Sequence, residues 1–255
     1  MRVITLNTWG GRMFDELIAF VKKHSQTTDI FCLQEVFDTE SGNTQSGVAR
    51  ANLYKEIEQS LPNHNGYFAV SQEGHDFAGY AAFDIKYGQV MFVHKDIDLE
   101  EEGHVFTHRH KNGMETFDDA HNLGRPLQYI TFNKDNKQFM VANMHGLWNG
   151  KGKSDDEDRI NQSKNIKKVL DGFDGSKVLC GDFNLLPHTE SIKILEKDMK
   201  NLITDFNIKS TRSSIYTKEL KHADYVLTTP DVKVKHFEVL QDEVSDHLPL
   251  LLEFD

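Results

Sequence analysis

The chain has 255 residues, of which 38% are hydrophobic and 27% charged, and its formal net charge is −11. This is the composition of a soluble globular protein, and no apolar run is long enough to span a bilayer, so we expect no membrane insertion. The acidity disfavours a protein that holds long nucleic acid on a broad basic face, because that mode of binding needs clustered Lys and Arg. It does not exclude a nuclease whose metal ions supply the positive charge.

The chain begins Met-Arg-Val-Ile, without the architecture of a signal peptide, so we expect a cytoplasmic protein. Its cysteines, Cys32 and Cys180, both lie in apolar strand-like runs, which favours buried reduced thiols over a disulfide. Nothing in the composition marks a linker, a repeat or a low-complexity segment. We therefore expect one domain over residues 1–255, acting as a monomer.

The N-terminal segment reads as strand, helix, strand. Residues 3–7 and 30–35 predict strands, and residues 14–23 have helical periodicity. Asn7 ends the first strand and Glu35 the second, which indicates a site at one edge of a sheet. Asn7 also suits a turn and Glu35 a surface strand end. For Glu35 that alternative is the weaker one, since four apolar or near-neutral residues precede it.

Polar loops dominate the next part of the chain. A loop is predicted over residues 38–47, a helix over 48–61, and strands over 67–70 and 89–93 with a loop over 71–87 between them. Residues 99–123 contain His104, His108, His110 and His121. Because their spacing lacks a zinc pattern, we predict a solvated hairpin there rather than a metal-binding tract.

The second half is rich in predicted strands. Strands over 125–132 and 138–144 are predicted to form an antiparallel pair around a turn that begins at Asn133. The further predicted elements are, in order, helix 159–170, strand 178–180, helix 191–198, and strands over 223–228, 232–240 and 248–254. The chain therefore alternates between strands and a few helices in each half.

Asp182 and Asn184 follow the strand at 178–180 at a spacing of two. In an extended chain this spacing puts both side chains on one face, with Phe183 pointing the other way into the core. A carboxylate and a carboxamide side by side can hold an attacking water and the oxygen that it attacks. The alternative is an Asx-rich turn that closes the strand, since Asp and Asn are favoured there for local hydrogen bonds.

Polar residues recur at the ends of predicted strands along the whole chain. They are Asn7, Glu35, His145, Asp182, Asn184, Asp224, Asp246 and His247. Each residue by itself could be an ordinary turn or surface residue. Together they indicate a single active site at the edge of a sheet.

The motifs around these residues resemble those of the endonuclease/exonuclease/phosphatase superfamily. Five stand in the family's order: Leu6-Asn7-Thr8-Trp9, Leu33-Gln34-Glu35-Val36, Gly181-Asp182-Phe183-Asn184, Ala223-Asp224-Tyr225 and Ser245-Asp246-His247. The resemblance covers essentially the whole chain. It implies an α/β (α+β) fold, a four-layer α/β/β/α sandwich of two packed, mostly antiparallel sheets flanked by helices. It also implies hydrolysis of a phosphodiester or phosphomonoester with Mg²⁺ or Mn²⁺.

The resemblance implies metal ligation by Asn7, Glu35 and Asp246. Hard oxygen ligands without a cysteine nearby in sequence suit Mg²⁺ or Mn²⁺ better than Zn²⁺. The substrate would be a phosphate ester, either nucleic acid or a phosphorylated small molecule. Arg125, just before a strand, resembles a phosphate-binding arginine of the family.

The remaining residues are predicted to act on the phosphate and the attacking water. Asp182 would orient or deprotonate the water, and Asn184 would donate to a phosphate oxygen. His145 and His247 would contact the phosphoryl group, with His247 stabilising it or taking part in proton transfer. Asp224 would fix the orientation of His247, and we expect the pairing of neighbouring strands to bring these two together.

Three further residues are weaker candidates. Glu73 faintly resembles a partner for His145. Arg212 could contact substrate, although we expect a surface arginine. Residues 143–153 resemble a bacterial subgroup with no assigned substrate, and Trp148 in this loop would either stack on a base or headgroup or be buried.

Two other functions compete with a cytoplasmic phosphoesterase. The stretch from Gln34 to Asp38 resembles bacterial sphingomyelinases, which are secreted phospholipid phosphodiesterases, but the lack of a signal and of an apolar loop counts against this. A catalytically silent binding module would have lost the metal and water residues, and none of these positions is substituted.

Overall fold

The structure is a computed structural model that describes residues 1–114 and 122–255. Its centre is two six-stranded sheets packed face to face, with helices on the outer face of each. This is the predicted four-layer sandwich of mostly antiparallel sheets, and the prediction is confirmed. Among the described residues, no helix is long and apolar enough to cross a membrane.

The described elements have the following bounds. The strands are β1 Arg2–Asn7, β2 Ile30–Asp38, β3 Gln45–Ser46, β4 Ala49–Arg50, β5 His64–Glu73, β6 His75–Asp76, β7 Gly79–Tyr80, β8 Lys86–His94, β9 Leu99–His108, β10 Arg125–Lys134, β11 Lys137–His145, β12 Ser176–Asp182, β13 Lys200–Asn201, β14 Asp224–Thr228, β15 Val234–Val239 and β16 Leu250–Phe254. The helices are α1 Phe14–His24, α2 Leu53–Ser60, α3 Glu157–Asp171, α4 Glu190–Glu196 and α5 Leu202–Asp205, and a 3₁₀ turn spans Trp9–Gly11.

The two sheets follow the same plan. The first has the order β15-β16-β1-β2-β8-β5 and the second the order β13-β14-β12-β11-β10-β9. Each contains one parallel pair at its centre, β1 with β2 and β11 with β12, and each pair is joined by a helix, α1 or α3. Because parallel strands end at the same edge, the carboxyl ends of both pairs provide a place for a site.

Alternation along the strands separates the layers. Ile4 and Phe31 pack on the outer face of the first sheet with helices α1 and α2, whereas Val3 and Cys32 belong to the core between the sheets. Successive side chains of a strand point to opposite faces. Asn7 and Asp182, which are hydrogen-bonded to each other across the sheets, therefore point into the space between them.

A buried polar network joins the sheets beneath the site. Gln34 Nε2 donates to Asn143 Oδ1 at 2.7 Å, and Gln89 Nε2 donates to the Asn143 carbonyl at 2.6 Å. All three residues are fully or almost fully buried. Because an unpaired buried polar group is costly, these bonds fix the position of one sheet relative to the other.

Some predicted elements differ from those observed. The helix expected over 48–61 begins at Leu53, because strands β3 and β4 form a small hairpin before it. The loop expected over 71–87 contains a second hairpin, β6 with β7. Cys32 and Cys180 are buried free thiols, as predicted.

The histidine-rich segment is also organised differently. Residues 99–108 form β9, which pairs with β10 as the edge strand of the second sheet rather than as a separate hairpin. Within the described residues, its histidines join no cluster of candidate metal ligands. Residues 115–121, and with them His121, lie outside the part of the chain that the structure describes.

Candidate active site

A cavity of about 560 Å³ opens where the two sheets meet. Seven of the nine predicted site residues line it: Glu35, Arg125, His145, Asp182, Asn184, Asp246 and His247. The other two lie directly behind the lining. Asn7 donates to Asp182, and Asp224 bonds to His247. Packing therefore gathers all nine residues at one place.

Strand register places three of these residues side by side. His145 is the cross-strand partner of Asp182 in the parallel pair of β11 and β12, and Asp182 is the partner of Asp224 in the antiparallel pair of β12 and β14. Directly opposed residues share a face of the sheet. Two carboxylates and an imidazole therefore form a row along the edge of the second sheet.

Asp182 and Asn184 both line the cavity, although not because the chain is extended. Strand β12 ends at Asp182, and Asn184 adopts a left-handed backbone with φ of 54°. The Asn184 amide N–H donates to Asp182 Oδ1 at 2.9 Å, and its side chain donates to the Gly146 carbonyl at 3.3 Å. The two interpretations of this motif are thus compatible, because the Asx turn itself brings the carboxamide beside the carboxylate.

Glu35 does not lie at the end of its strand, which corrects the prediction. Strand β2 continues to Asp38, with a register shift in its pairing to β8 between Leu33 and Val36. Glu35 has a φ of 56° within this irregularity. Thr8 Oγ1 donates to the Glu35 carbonyl at 2.9 Å and holds it there. A bulge of this kind re-aims a side chain without ending the strand.

Asn7 connects the carboxylates of the two sheets. Its Nδ2 donates to Glu35 Oε1 and to Asp182 Oδ2, each at 3.0 Å, and its Oδ1 accepts from the Trp9 amide at 2.9 Å. The amide nitrogen therefore faces the acids. Service as a metal ligand would require the amide to turn and present its oxygen.

Asp182 is the point on which the site converges. Its Oδ2 lies 3.7 Å from His145 Nε2 and 3.7 Å from His247 Nε2, in addition to its bond from Asn7. His145 Nε2 also lies 3.7 Å from Glu35 Oε1. These separations are longer than a hydrogen bond, so the carboxylates and imidazoles face one another without bonding directly.

His247 and Asp224 form the expected couple, but strand pairing does not bring them together. His247 Nδ1 lies 2.7 Å from Asp224 Oδ1, and both residues are buried. Asp224 begins β14 of the second sheet, whereas His247 precedes β16 of the first. Thr211 connects them, since its hydroxyl donates to Asp224 Oδ2 at 2.8 Å and its carbonyl accepts from Leu248 at 2.9 Å.

Burial shifts the pKa values of two acids and two imidazoles of the site in the direction that favours their neutral forms. It raises the pKa of Glu35 to about 7, with Asp182 and Asp246 adding to the effect, and raises the pKa of Asp224 to about 6. Burial and then Arg212 lower the pKa of His247 to about 4, and burial also lowers the pKa of His145. At pH 7, His247 is thus neutral and donates Nδ1–H to the Asp224 carboxylate.

Cations surround this acidic centre. Arg125 is 4% exposed, and its Nε has no hydrogen-bond partner in the part of the chain that the structure describes. Arg212 is also buried, which corrects the prediction of a surface arginine. Its guanidinium donates to Asp246 at 2.7 Å and lies 4.3 Å from the Tyr216 ring centroid.

Lys153 lines the cavity although no sequence motif identified it as a site residue. It is only 3% exposed and donates through Nζ to the His222 carbonyl at 2.8 Å. Burial, followed by the positive charge of Arg212, lowers its pKa to about 8. In the sequence, Lys153 is simply a lysine in a glycine-rich loop, and this pattern does not tell whether its side chain is buried or exposed.

Of the weaker candidates, Glu73 lies outside the site and Trp148 lies at the cavity. Glu73 bonds to Lys111 and Asn112 at the surface and is not a partner of His145. Tyr87 is instead near that imidazole, with its hydroxyl 3.5 Å from Nδ1. Trp148 lines the cavity beneath Lys218, whose Nζ lies 5.8 Å from the ring centroid.

The donor set fits a hard divalent cation. The negative charges of Asp182 and Asp246 repel that of Glu35. Asp246 Oδ1 is buried without a hydrogen-bond partner among the described residues. A divalent ion would satisfy that oxygen and relieve the repulsion. Asp182, Asp224 and His247 also offer ligand atoms within 4.8 Å of one another, although two of these residues already bond to each other.

Comparison with known families gives an extensive match. The sequence fits the model of the Endonuclease/Exonuclease/phosphatase family over residues 4–247. No curated protein sequence matches the chain.

Solved structures share the fold over the whole chain. An endonuclease/exonuclease/phosphatase from Bacteroides vulgatus is 20% identical, with a TM-score of 0.70 and coverage of 100% of this chain and 98% of that one. A mannosyl-6-phosphatase from Bacteroides thetaiotaomicron is 16% identical, with a TM-score of 0.72 and coverage of 100% and 99%. The human Nocturnin catalytic domain with bound sulfate is 18% identical, with a TM-score of 0.68 and coverage of 100% and 93%. Identities this low establish the fold alone.

Proposed function

This chain belongs to the endonuclease/exonuclease/phosphatase family, whose members are hydrolases, and from that premise we propose a divalent-metal-dependent phosphoesterase that acts on a small phosphate ester by in-line attack of water. The observation that carries the proposal is the convergence on Asp182. One carboxylate oxygen faces the Nε2 atoms of His145 and His247 across equal gaps of 3.7 Å.

Enzymes of this family generally depend on a divalent metal. Glu35 and Asp246 would hold the ion through carboxylate oxygens, and Asn7 would join them if its amide oxygen turned inward. Mg²⁺ or Mn²⁺ bound there would polarise a phosphoryl oxygen and offset the negative charge that develops during attack. Both ions prefer oxygen ligands of this kind, which argues against zinc.

The chain's own groups would position and activate the attacking water. Asp182 is held by Asn7 and by the Asn184 amide, so its carboxylate has a fixed direction. It would orient the water and receive its proton as the new phosphorus–oxygen bond forms and the bond to the leaving oxygen breaks. Asn184 would donate its amide to a phosphate oxygen after releasing the Gly146 carbonyl.

The imidazoles and cations would bind the phosphoryl group. Asp224 would fix His247 in the Nδ1–H tautomer, which leaves Nε2 unprotonated and facing Asp182. A phosphate bound against Nε2 would favour its protonation, and the Asp224 carboxylate would stabilise the resulting imidazolium. Arg125 and Lys153 have no carboxylate partner among the described residues and would supply further positive charge to the phosphate.

The cavity favours a small substrate over a long polymer. Its volume lies in the range of pockets that enclose small molecules. The net charge of −11 also disfavours a broad nucleic-acid surface. For the sphingomyelinase-like alternative, the hairpin of β6 and β7 exposes a single large aromatic, Tyr80, which offers little apolar area for a lipid surface.

A substrate panel tests the proposed reaction. It comprises p-nitrophenyl and bis-p-nitrophenyl phosphate, sugar and inositol phosphates, single- and double-stranded DNA, RNA and sphingomyelin, each with Mg²⁺ or Mn²⁺. We expect hydrolysis of small esters that a chelator abolishes. Preference for a polymer or for sphingomyelin would contradict the substrate class, and absence of hydrolysis of every ester would contradict the reaction.

Replacement of Glu35 by Gln tests the metal site. The change keeps the shape of the side chain and removes its charge, so Mg²⁺ affinity measured by calorimetry should fall about tenfold or more. Glu73→Gln is the matched control, because Glu73 bonds to Lys111 and Asn112 at the surface and does not line the cavity. Unchanged Mg²⁺ affinity in Glu35→Gln would remove Glu35 from the ligand set.

A further inference from the structure

We propose that the cavity contains a second anion-binding subsite centred on Arg12, and that the substrate is therefore a phosphate ester with another anionic group. This inference rests on the proposed function of the same cavity. It adds the chemical class of the substrate, because the second group would be recognised apart from the phosphate that reacts.

Arg12 is held on an aromatic platform at the wall of the cavity. Its guanidinium carbon lies 4.5 Å from the ring centroid of Trp9 and 5.4 Å from that of Phe77, and all three residues line the cavity. An arginine that stacks through its planar face keeps the N–H groups on its edge free. The platform thus fixes the position of the cation without using its hydrogen-bond donors.

The backbone is shaped to present this platform. Beginning two residues after Asn7, three consecutive residues adopt left-handed conformations: Trp9 at φ 53°, Gly10 at 64° and Gly11 at 69°. A Cβ atom at Gly10 would lie 2.4 Å from Cε2 of Phe77, so glycine is needed for this approach. Left-handed backbone at a non-glycine residue is costly and concentrates at functional sites.

Arg12 differs from four other arginines of the chain in its partners. Arg2, Arg50, Arg159 and Arg212 each form an ion pair with an acid. Arg12, like Arg125 at the reacting centre, forms none with a residue in the described ranges. The acid on its side of the cavity, Asp76, accepts from the Ser46 hydroxyl and from the amides of the following turn.

The cavity is also more cationic than the rest of the protein. Among the residues that the structure describes, its lining has five basic residues, Arg12, Arg125, Lys153, Arg212 and Lys218, and four acids, Glu35, Asp76, Asp182 and Asp246. The whole chain has 29 basic and 40 acidic residues. A lining with excess positive charge in an acidic protein favours an anionic ligand, and a metal ion at the acids would increase that excess.

The reacting phosphate does not account for all of this charge. Arg125 lies close enough to Glu35 and His145 to affect their pKa values, and Lys153 is within the field of Asp182 and Asp246, so both belong to the reacting centre. Arg12 is on the separate Trp9–Phe77 platform. Its planar fork of donors matches a phosphate, sulfate or carboxylate group.

Matched pairs of compounds test the subsite through binding alone. The probes are glucose 6-phosphate against glucose 1,6-bisphosphate, and adenosine 5′-monophosphate against adenosine 3′,5′-bisphosphate, titrated by calorimetry in Ca²⁺. We expect the native protein to bind at least one bisphosphate about tenfold more tightly than its monophosphate. Arg12→Gln should reduce that ratio to about one while monophosphate affinity stays the same, and Arg12→Lys should keep part of it.

Arg109→Gln is the matched control, since Arg109 is an exposed arginine that does not line the cavity. Equal affinities within both pairs, or a preference that survives in Arg12→Gln, would overturn the subsite. The proposed reaction is judged separately from hydrolysis. A bisphosphate preference without hydrolysis of any ester would support the subsite and reject the proposed reaction. Hydrolysis of an ester without a bisphosphate preference would support the reaction and reject the subsite.

Discussion

The floor and the rim of the cavity are held in place by different interactions. The floor consists of Asn7, Glu35, His145, Asp182 and Asp224, which lie on strands, and of Asp246 and His247, which lie in the segment before β16. The rim consists of Trp9, Arg12, Phe77, Trp148, Tyr216 and Lys218, which lie in turns and loops. Hydrogen bonds between buried polar groups join the floor, whereas contacts between cations and aromatic rings organise the rim.

This difference separates the residues that would carry out the reaction from those that would select the substrate. The floor bonds span both sheets, so a change there alters groups that the fold itself positions. The rim side chains are more exposed and lie in turns and loops, which as a class tolerate substitution better than strands do. We therefore expect floor variants to lose turnover, and rim variants to change which ester is bound.

Asp182→Asn should have the largest effect. The substitution keeps the size of the side chain but removes the proton acceptor from the centre of the floor, so kcat should fall by about 10³. Asp76→Asn changes an acid that lines the cavity beside the rim and should leave kcat within a few-fold of native. Near-native kcat in Asp182→Asn would remove this carboxylate from the mechanism and erase the distinction between floor and rim.

Asp224→Asn should have the next largest effect, about 10² in kcat, because the imidazole of His247 loses its fixed tautomer. Native activity requires the Asp224 carboxylate, whose pKa burial raises to about 6, so it should decline as the pH falls through that value. In the variant, this acid limb of the pH–rate profile should shift while Mg²⁺ affinity is retained. An unchanged profile would show that the couple is only structural.

Lys153→Met tests the boundary between the two regions. Loss of one buried cation near the phosphate should lower kcat/KM about tenfold and weaken inhibition by inorganic phosphate in parallel. Lys151→Met, an exposed lysine of the same loop, should behave like the native protein. If Lys153→Met lowers the melting temperature but leaves phosphate inhibition unchanged, the lysine only ties its loop to the His222 carbonyl.

Local patterns predicted most of the fold and the floor. Apolar runs ending in one polar residue identified strands β1, β11 and β12, and the ends of these strands carry Asn7, His145 and Asp182. This worked because side-chain alternation is a property of the strand itself. The rim had no such signal. Arg12 and Lys153 are ordinary basic residues in sequence, and only their surroundings distinguish them.

Side-chain patterns identified the polar residues that follow the apolar runs, and the resemblance of their motifs implied the family and its sandwich architecture. Which of these groups meet depends on how the two sheets pack. The bond between Asn7 and Asp182 spans 175 positions, and that between Asp224 and His247 crosses from one sheet to the other. Periodicity encodes the face on which a side chain lies, but contacts between distant segments arise only when the sheets pack and bury their polar groups together.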